Sequence, residues 1–273
     1  MNKANSADTD FPYWLVAAAA IAVVVAVIIA TNDLYTQVLI IVSRGVWITI
    51  FVTFVAFALA SAFGLLIAVM GLSRSLVLRQ VARFYVEIIR GIPMLVLLFY
   101  VAFVGAPAIV AGWNFLTRPL QEAGLLEELM VRDISLLWRA IISLTIGYSA
   151  FISEVFRAGI LSVDEGQIEA AQALGLNRWQ RFRLIIMPQA LRTILPPLGN
   201  DFVAMVKDSS LVSVLGVADL TQMGKVYASG SFRFFETYSI VTYIYLLLTV
   251  GLSLALRSLE RRLRKSAGNP LDG

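Results

Sequence analysis

Long stretches of this chain contain no charged residue, among them Phe11–Asn32, Gly45–Ser73 and Thr237–Leu256. About 20 consecutive apolar residues suffice to cross the hydrocarbon core of a bilayer, so each is read as a membrane-spanning helix. The whole composition agrees. Hydrophobic residues make up 59% of the chain and charged residues 15%, with a mean hydropathy of +0.81, where a soluble domain carries about 25% charged residues. The formal net charge is +4, yet the basic residues flank apolar spans as topology signals do, which excludes a nucleic-acid surface. There is no cysteine and no histidine, so disulfides, thiolate metal sites and the commonest general base are absent.

In chain order, residues 1–10 are polar. The run from Phe11 is too long for the apolar core of a signal peptide, and its start mixes Lys3 with Asp8 and Asp10. A retained anchor helix is therefore expected. Gly45–Ser73 is the second span. Phe51, Phe54, Phe57 and Phe63 supply its bulk, and Ser61 and Gly64 supply small spots for another helix. A polar segment with Arg74, Arg79 and Arg83 leads to Phe84–Tyr100, where Glu87 and Arg90 are spaced to pair near the water interface and Gly91 and Pro93 loosen the start of a third span that continues to about Val110. Gly112–Asp133 reads as a polar loop, and Ile134 to about Val155 as the fourth span, near whose end Glu154 and Arg157 can pair. The fifth span, Leu191–Gly216, contains Pro196, Pro197, Asp201, Lys207 and Asp208. A charge at mid-bilayer costs about 2.5–3.5 kcal/mol on insertion scales, so these side chains are expected to face protein or a watery cavity. Val217–Glu236 reads as a loop before the sixth span, and a basic tail follows. The fold class is an all-α integral membrane protein of six transmembrane helices.

The long charged interruption, Ile160–Pro188, reads as two short helices joined at Gly175. Asp164, with Gln167 three residues on, caps the first helix, and Asn177, with Gln180, caps the second. Gly175 falls where a left-handed residue ends the first helix. Trp179, Phe182 and Ile186 share one face of the second. Ala170, Ala171 and Ala173 leave part of the first helix nearly bare, so another protein can approach closely.

Glu169-Ala170-Ala171, three residues, Gly175, nine residues, Ile185, then Met187-Pro188 resembles the EAA loop of permease subunits in ATP-binding cassette importers. That family usually ends the pattern in Leu-Pro, so Met187 is a departure. Phe84–Tyr100 resembles the RGTP segment of polar amino acid importers, with Ile92 in place of Thr, and Gly147–Ile160 is also similar to those permeases. The resemblance runs from about Gly45 to Leu256. It implies a five-helix type I importer core over residues 45–257, with a cytoplasmic coupling loop at about 158–190. Residues 1–44 then form the tail and anchor helix, and 258–273 a basic cytoplasmic tail.

The resemblance further implies an amino acid importer of the histidine, arginine and glutamine type in the bacterial inner membrane. Its expected partners are two ATPase subunits, a second permease copy or paralogue, an extracytoplasmic binding protein and membrane lipid. The ATPase would dock on Glu169, Ala170, Ala171, Leu174 and Gly175, Glu169 acting either as a partner for a basic group or as a solvated helix charge. The sequence lacks the G-x-x-x-x-G-K-[ST] pattern, so ATP hydrolysis by the P-loop route belongs to the partner. The chain is expected to be no enzyme and to need no cofactor or metal. Asn200, Lys207, Asp208 and Ser209 are the expected path residues, an interhelical clamp of Lys207 and Asp208 being the competing reading. An ion-coupled carrier using Asp201, Lys207 and Asp208 as a relay is the rival function, and a membrane scaffold that only holds an ATPase is a third.

With the charged loop inside, inner segments hold fifteen basic residues and outer segments five, as the positive-inside rule requires. Tags at residues 2 and 273 should both be inaccessible from outside intact cells. External labelling of either end overturns this topology.

Overall fold

The computed structural model describes residues 13–265, with side chains to Leu259. The polar N-terminal tail and the basic residues beyond Leu259 lie outside the described side chains. The elements are α1 (Tyr13–Thr31), α2 (Asp33–Ser43), α3 (Val46–Gly71), α4 (Leu76–Gly91), α5 (Met94–Tyr100), α6 (Ala106–Glu122), α7 (Leu136–Leu161), α8 (Glu165–Ala173), α9 (Arg178–Arg181), α10 (Met187–Asp208), α11 (Leu220–Ser231) and α12 (Phe234–Lys265). Among the described residues five stretches are long and apolar enough to cross a membrane: Tyr13–Thr31, Asp33–Gly71, Met94–Glu122, Leu136–Leu161 and Phe234–Leu259. The expected fifth span forms as α10, followed by a 3₁₀ segment over Ser209–Leu215 that ends at left-handed Gly216. Its prolines and charges keep it below the hydropathy of a lipid-facing helix, and it packs on α7, α12 and α3.

The core forms around α7, which lies tightly against α3. A Cβ built on Gly64 would sit 3.1 Å from both the Ser149 carbonyl oxygen and the Ser153 amide nitrogen, so the missing side chain lets two backbones meet. Val52, Ala56 and Ala60 of α3 join Ile141, Leu144, Tyr148 and Ile152 of α7 in one buried cluster with Leu98 and Met205. Phe54 and Phe57 pack on Phe202 of α10, although Phe54 stays largely exposed. The hydroxyls of Ser143, Ser149 and Ser153 donate to carbonyls of their own helix, which satisfies them without water.

Several expected loops are helical. The apolar rod from Met94 continues past Val110 to Glu122 through a π turn at Val101–Gly105. Arg139, near the start of α7, donates to the Ala102 carbonyl in that turn at 3.2 Å and to Ile134 O at 2.8 Å, so its charge caps irregular backbone. Asn114 of α6 donates to Leu129 O at 2.8 Å and accepts from Leu129 N at 3.0 Å, tying down the returning segment. The stretch read as a loop after Val217 contains α11, and α2 fills an interval to which the sequence assigned no element. Glu87 and Arg90 do not pair. Arg90 lies over the Phe151 ring at 5.5 Å, whereas Glu154 and Arg157 do pair, at 2.6 Å.

Asp219 caps α11, accepting from Gln222 N at 2.9 Å and Thr221 N at 3.2 Å. Its backbone presses on Gly45, where a Cβ would lie 2.5 Å away. The side chain is fully buried, and burial pushes its carboxyl up to about 6, against the partial relief of its hydrogen bonds. A carboxyl whose folded pKa is raised contributes stability that is complete below its ordinary value of 3.8 and is lost as pH rises through about 6. Thermal stability in detergent should therefore increase as pH falls from 7 to 5. Asp219→Asn retains a competent cap and should flatten that dependence; an unchanged slope refutes the assignment to Asp219.

Candidate functional site

The charged interruption folds as its capping residues require. Asp164 accepts from Gln167 N at 3.3 Å at the start of α8. At the other end Leu176 N bonds to Ala171 O at 3.1 Å and Gly175 N to Gln172 O at 3.0 Å, the paired bonds of a Schellman motif. Gly175 has φ +78°, and a Cβ there would meet open space. Only the backbone angle, not crowding within the chain, asks for glycine. Asn177 and Gln180 form the reciprocal capping box, both bonds 2.9 Å. Arg181 donates to Gln172 Oε1 at 2.7 Å, fixing α9 against α8.

Glu169, Ala170, Leu174 and Gly175 are exposed, and Leu174 is 81% exposed. Ala171, expected on the same outward surface, is instead buried and belongs to the inner side of α8. Trp179 and Phe182 stack with centroids 6.1 Å apart, and Trp179 remains 66% exposed. From α9 the helix continues through a π turn at Phe182–Ile186 into α10. Pro188 has no N–H to offer Leu184, and the wider turn beside it accommodates that loss. The Met-Pro step thus stands within a continuous helix without ending it.

The expected path residues separate. Asp208 lines a cavity of about 270 Å³ with Asp201, Tyr148, Met94, Ile92 and Phe151, among others. Tyr148 Oη donates to Asp208 Oδ2 at 2.8 Å, and Asp201 Oδ2 is buried with no hydrogen-bond partner. Among the described residues no basic side chain lines this cavity. Lys207 lies on a second groove with Trp14, Thr249, Ser253 and Arg257. Ser209 is fully buried and donates to Val206 O at 2.7 Å. Asn200 is exposed. Sequence reasoning missed Tyr148, whose position twelve residues into a span carried no signal of its pairing with Asp208 across 60 residues. Among the described residues Lys207 and Asp208 form no ion pair with each other; Asp208 bonds across helices to Tyr148 instead. Asp201, Lys207 and Asp208 do not converge as an ion relay needs, so the ion-coupled carrier is unsupported.

Residues 60–265 match the family described as binding-protein-dependent transport system inner membrane component. The probable amino-acid permease protein YxeN of Bacillus subtilis (strain 168) is 35% identical over 80% of this chain and 89% of its own length. The glutamine transport system permease protein GlnP of Escherichia coli (strain K12) is 34% identical over 81% and 92%. Among solved structures, the crystal structure of an amino acid ABC transporter with histidines superposes with TM-score 0.68 at 36% identity, covering 85% of this chain and 97% of that one. The inward-facing MetNI methionine ABC transporter, at 22% identity and TM-score 0.61 over 82% and 96%, shares the fold. A family match over three-quarters of the chain, joined to near full-length permease relatives, establishes that this protein is a member of the inner-membrane permease family of binding-protein-dependent transport systems.

Proposed function

We propose that the chain is the membrane-spanning subunit of an ATP-driven amino acid importer, working with ATPase subunits, a second permease and an extracytoplasmic binding protein. The observation that carries the coupling assignment is the α8–α9 turn. It holds Leu174 and Glu169 outward beside a glycine whose conformation alone is constrained. An ATPase packed on Glu169, Ala170, Leu174 and Gly175 would move the loop as it closes, and the permease would switch between two packed states. Gly175→Arg should leave the spans inserted, because the turn lies outside the bilayer, while reducing ATPase capture and abolishing ATP-driven uptake. Gly175→Ala, costing about 1 kcal/mol of backbone strain, should reduce uptake less. Normal capture and uptake in Gly175→Arg remove this loop as the coupling element.

The cavity around Asp201 and Asp208 fits the α-ammonium group of an amino acid. It offers two carboxylates and an apolar wall at about 270 Å³, and one carboxylate oxygen lacks a partner within the protein. A hydrogen bond to a charged group contributes about 1.5–3 kcal/mol. Asp208→Asn should therefore raise the KM for uptake about ten-fold or more. Lys207→Met, on the separate groove, should retain the wild-type KM. An unaltered KM in Asp208→Asn takes the cavity off the path; a raised KM in Lys207→Met extends the path to its groove.

A further inference from the structure

We propose that the cavity enclosed by the C-terminal ends of α3 and α7 and by α4 binds the phosphate headgroup of an anionic phospholipid, with Arg79, Arg83 and Arg90 as its donors. The cavity measures about 320 Å³, at the lower end of small-molecule sites. Four arginines line it: Arg79, Arg83, Arg90 and Arg157. Two carboxylates also line it, Glu87 and Glu154. Arg157 and Glu154 neutralise each other at 2.6 Å. The other three arginines have no carboxylate within salt-bridge distance among the described residues and face a single remaining carboxylate, Glu87. Arg79 spends one nitrogen on the Ser73 and Arg74 carbonyls, each at 3.1 Å, and keeps the rest of its fork. Arg90 rests on Phe151, which fixes its plane while its N–H groups stay available. Planar guanidinium forks suit phosphate oxygens.

A lipid fits better than a free anion because the walls are mixed. Ile67, Leu72, Val86 and Leu161 stand beside the arginines, a lining that glycerol and the first acyl carbons can use and hydrated phosphate cannot. The position agrees. Arg79, Arg83 and Arg90 recur along one side of α4, while Val77, Val81, Phe84 and Ile88 lie on the opposite side and are exposed. On the topology expected from the distribution of basic residues, the cavity sits at the cytoplasmic-side ends of α3 and α7, behind an amphipathic helix whose outer face is apolar. Basic pockets between helices at that level select anionic headgroups.

The test uses the full chain reconstituted in vesicles of phosphatidylglycerol and phosphatidylcholine, extracted gently, with retained lipid counted by native mass spectrometry. Wild type should retain phosphatidylglycerol in preference to phosphatidylcholine. Arg83→Gln should weaken that retention about five-fold, as expected for one basic group at the surface, and Arg90→Gln similarly. Arg83→Lys should fall between Arg83→Gln and wild type, which separates lost charge from damaged folding, and Arg118→Gln, on α6 away from this cavity, should match wild type. Equal retention in wild type and Arg83→Gln, or no preference for phosphatidylglycerol in wild type, overturns the proposal. Displacement of phosphatidylglycerol by millimolar inorganic phosphate assigns the cavity to the free ion and overturns the lipid.

Discussion

The contact on which the structure depends is the seam between α3 and α7. Gly64 lets the α3 backbone rest against the α7 backbone at Ser149 and Ser153, and Ala56 and Ala60 continue the close approach. In lipid there is no water to expel between helices, so close packing and dispersion must hold them. With α7 buried in this way, the other parts acquire fixed places. α4 lies across the ends of α3 and α7, α5 covers the middle of α7, and α10 lies along its remaining side. Gly147 continues the same logic, since a Cβ there would overlap Met94. Small residues on α3 therefore set the frame, and Gly147 on α7 the shape of the cavity beside it.

Much of this was legible in the residues. Uncharged runs mark spans because lipid tolerates few alternatives. Asp164, Gly175, Asn177 and Gln180 specify their turns because caps and left-handed glycines act within a few residues. What stayed hidden depends on distant partners. The π turn at Val101–Gly105 is coupled to Arg139 from another helix, and α11 looks like a loop until Gly224 is seen against Val241. Arg90 was expected beside Glu87 by spacing alone, yet an aromatic ring from α7 takes it. The separation of Lys207 from Asp208 was foreseeable from helical geometry, but which neighbour each would find was not.

Buried polar groups divide into two kinds here. Ser143, Ser153 and Ser209 bond back to their own helix and are inert. Asp201 and Asp208 of α10 meet Tyr148 of α7 at a cavity, one oxygen still unmatched. Asp219 is a third case: buried, fully engaged as a cap, and joined through Thr221 to Tyr245 of α12. Its burial against Gly45 ties the beginning of α3 to the segment that precedes α11.

Pro188 has a mechanical consequence. Because the π turn absorbs the proline, the helix that begins at Arg178 runs on to Asp208 without a break. At about 1.5 Å per residue this rod is roughly 45 Å long. One end carries Trp179 beside the exposed turn, and the other carries a carboxylate of the cavity. One continuous helix, carrying Pro196 and Pro197 on the way, thus joins the exposed turn to the cavity. About midway along it, Ile194 fills the place of a side chain at Gly159 and holds the rod against α7.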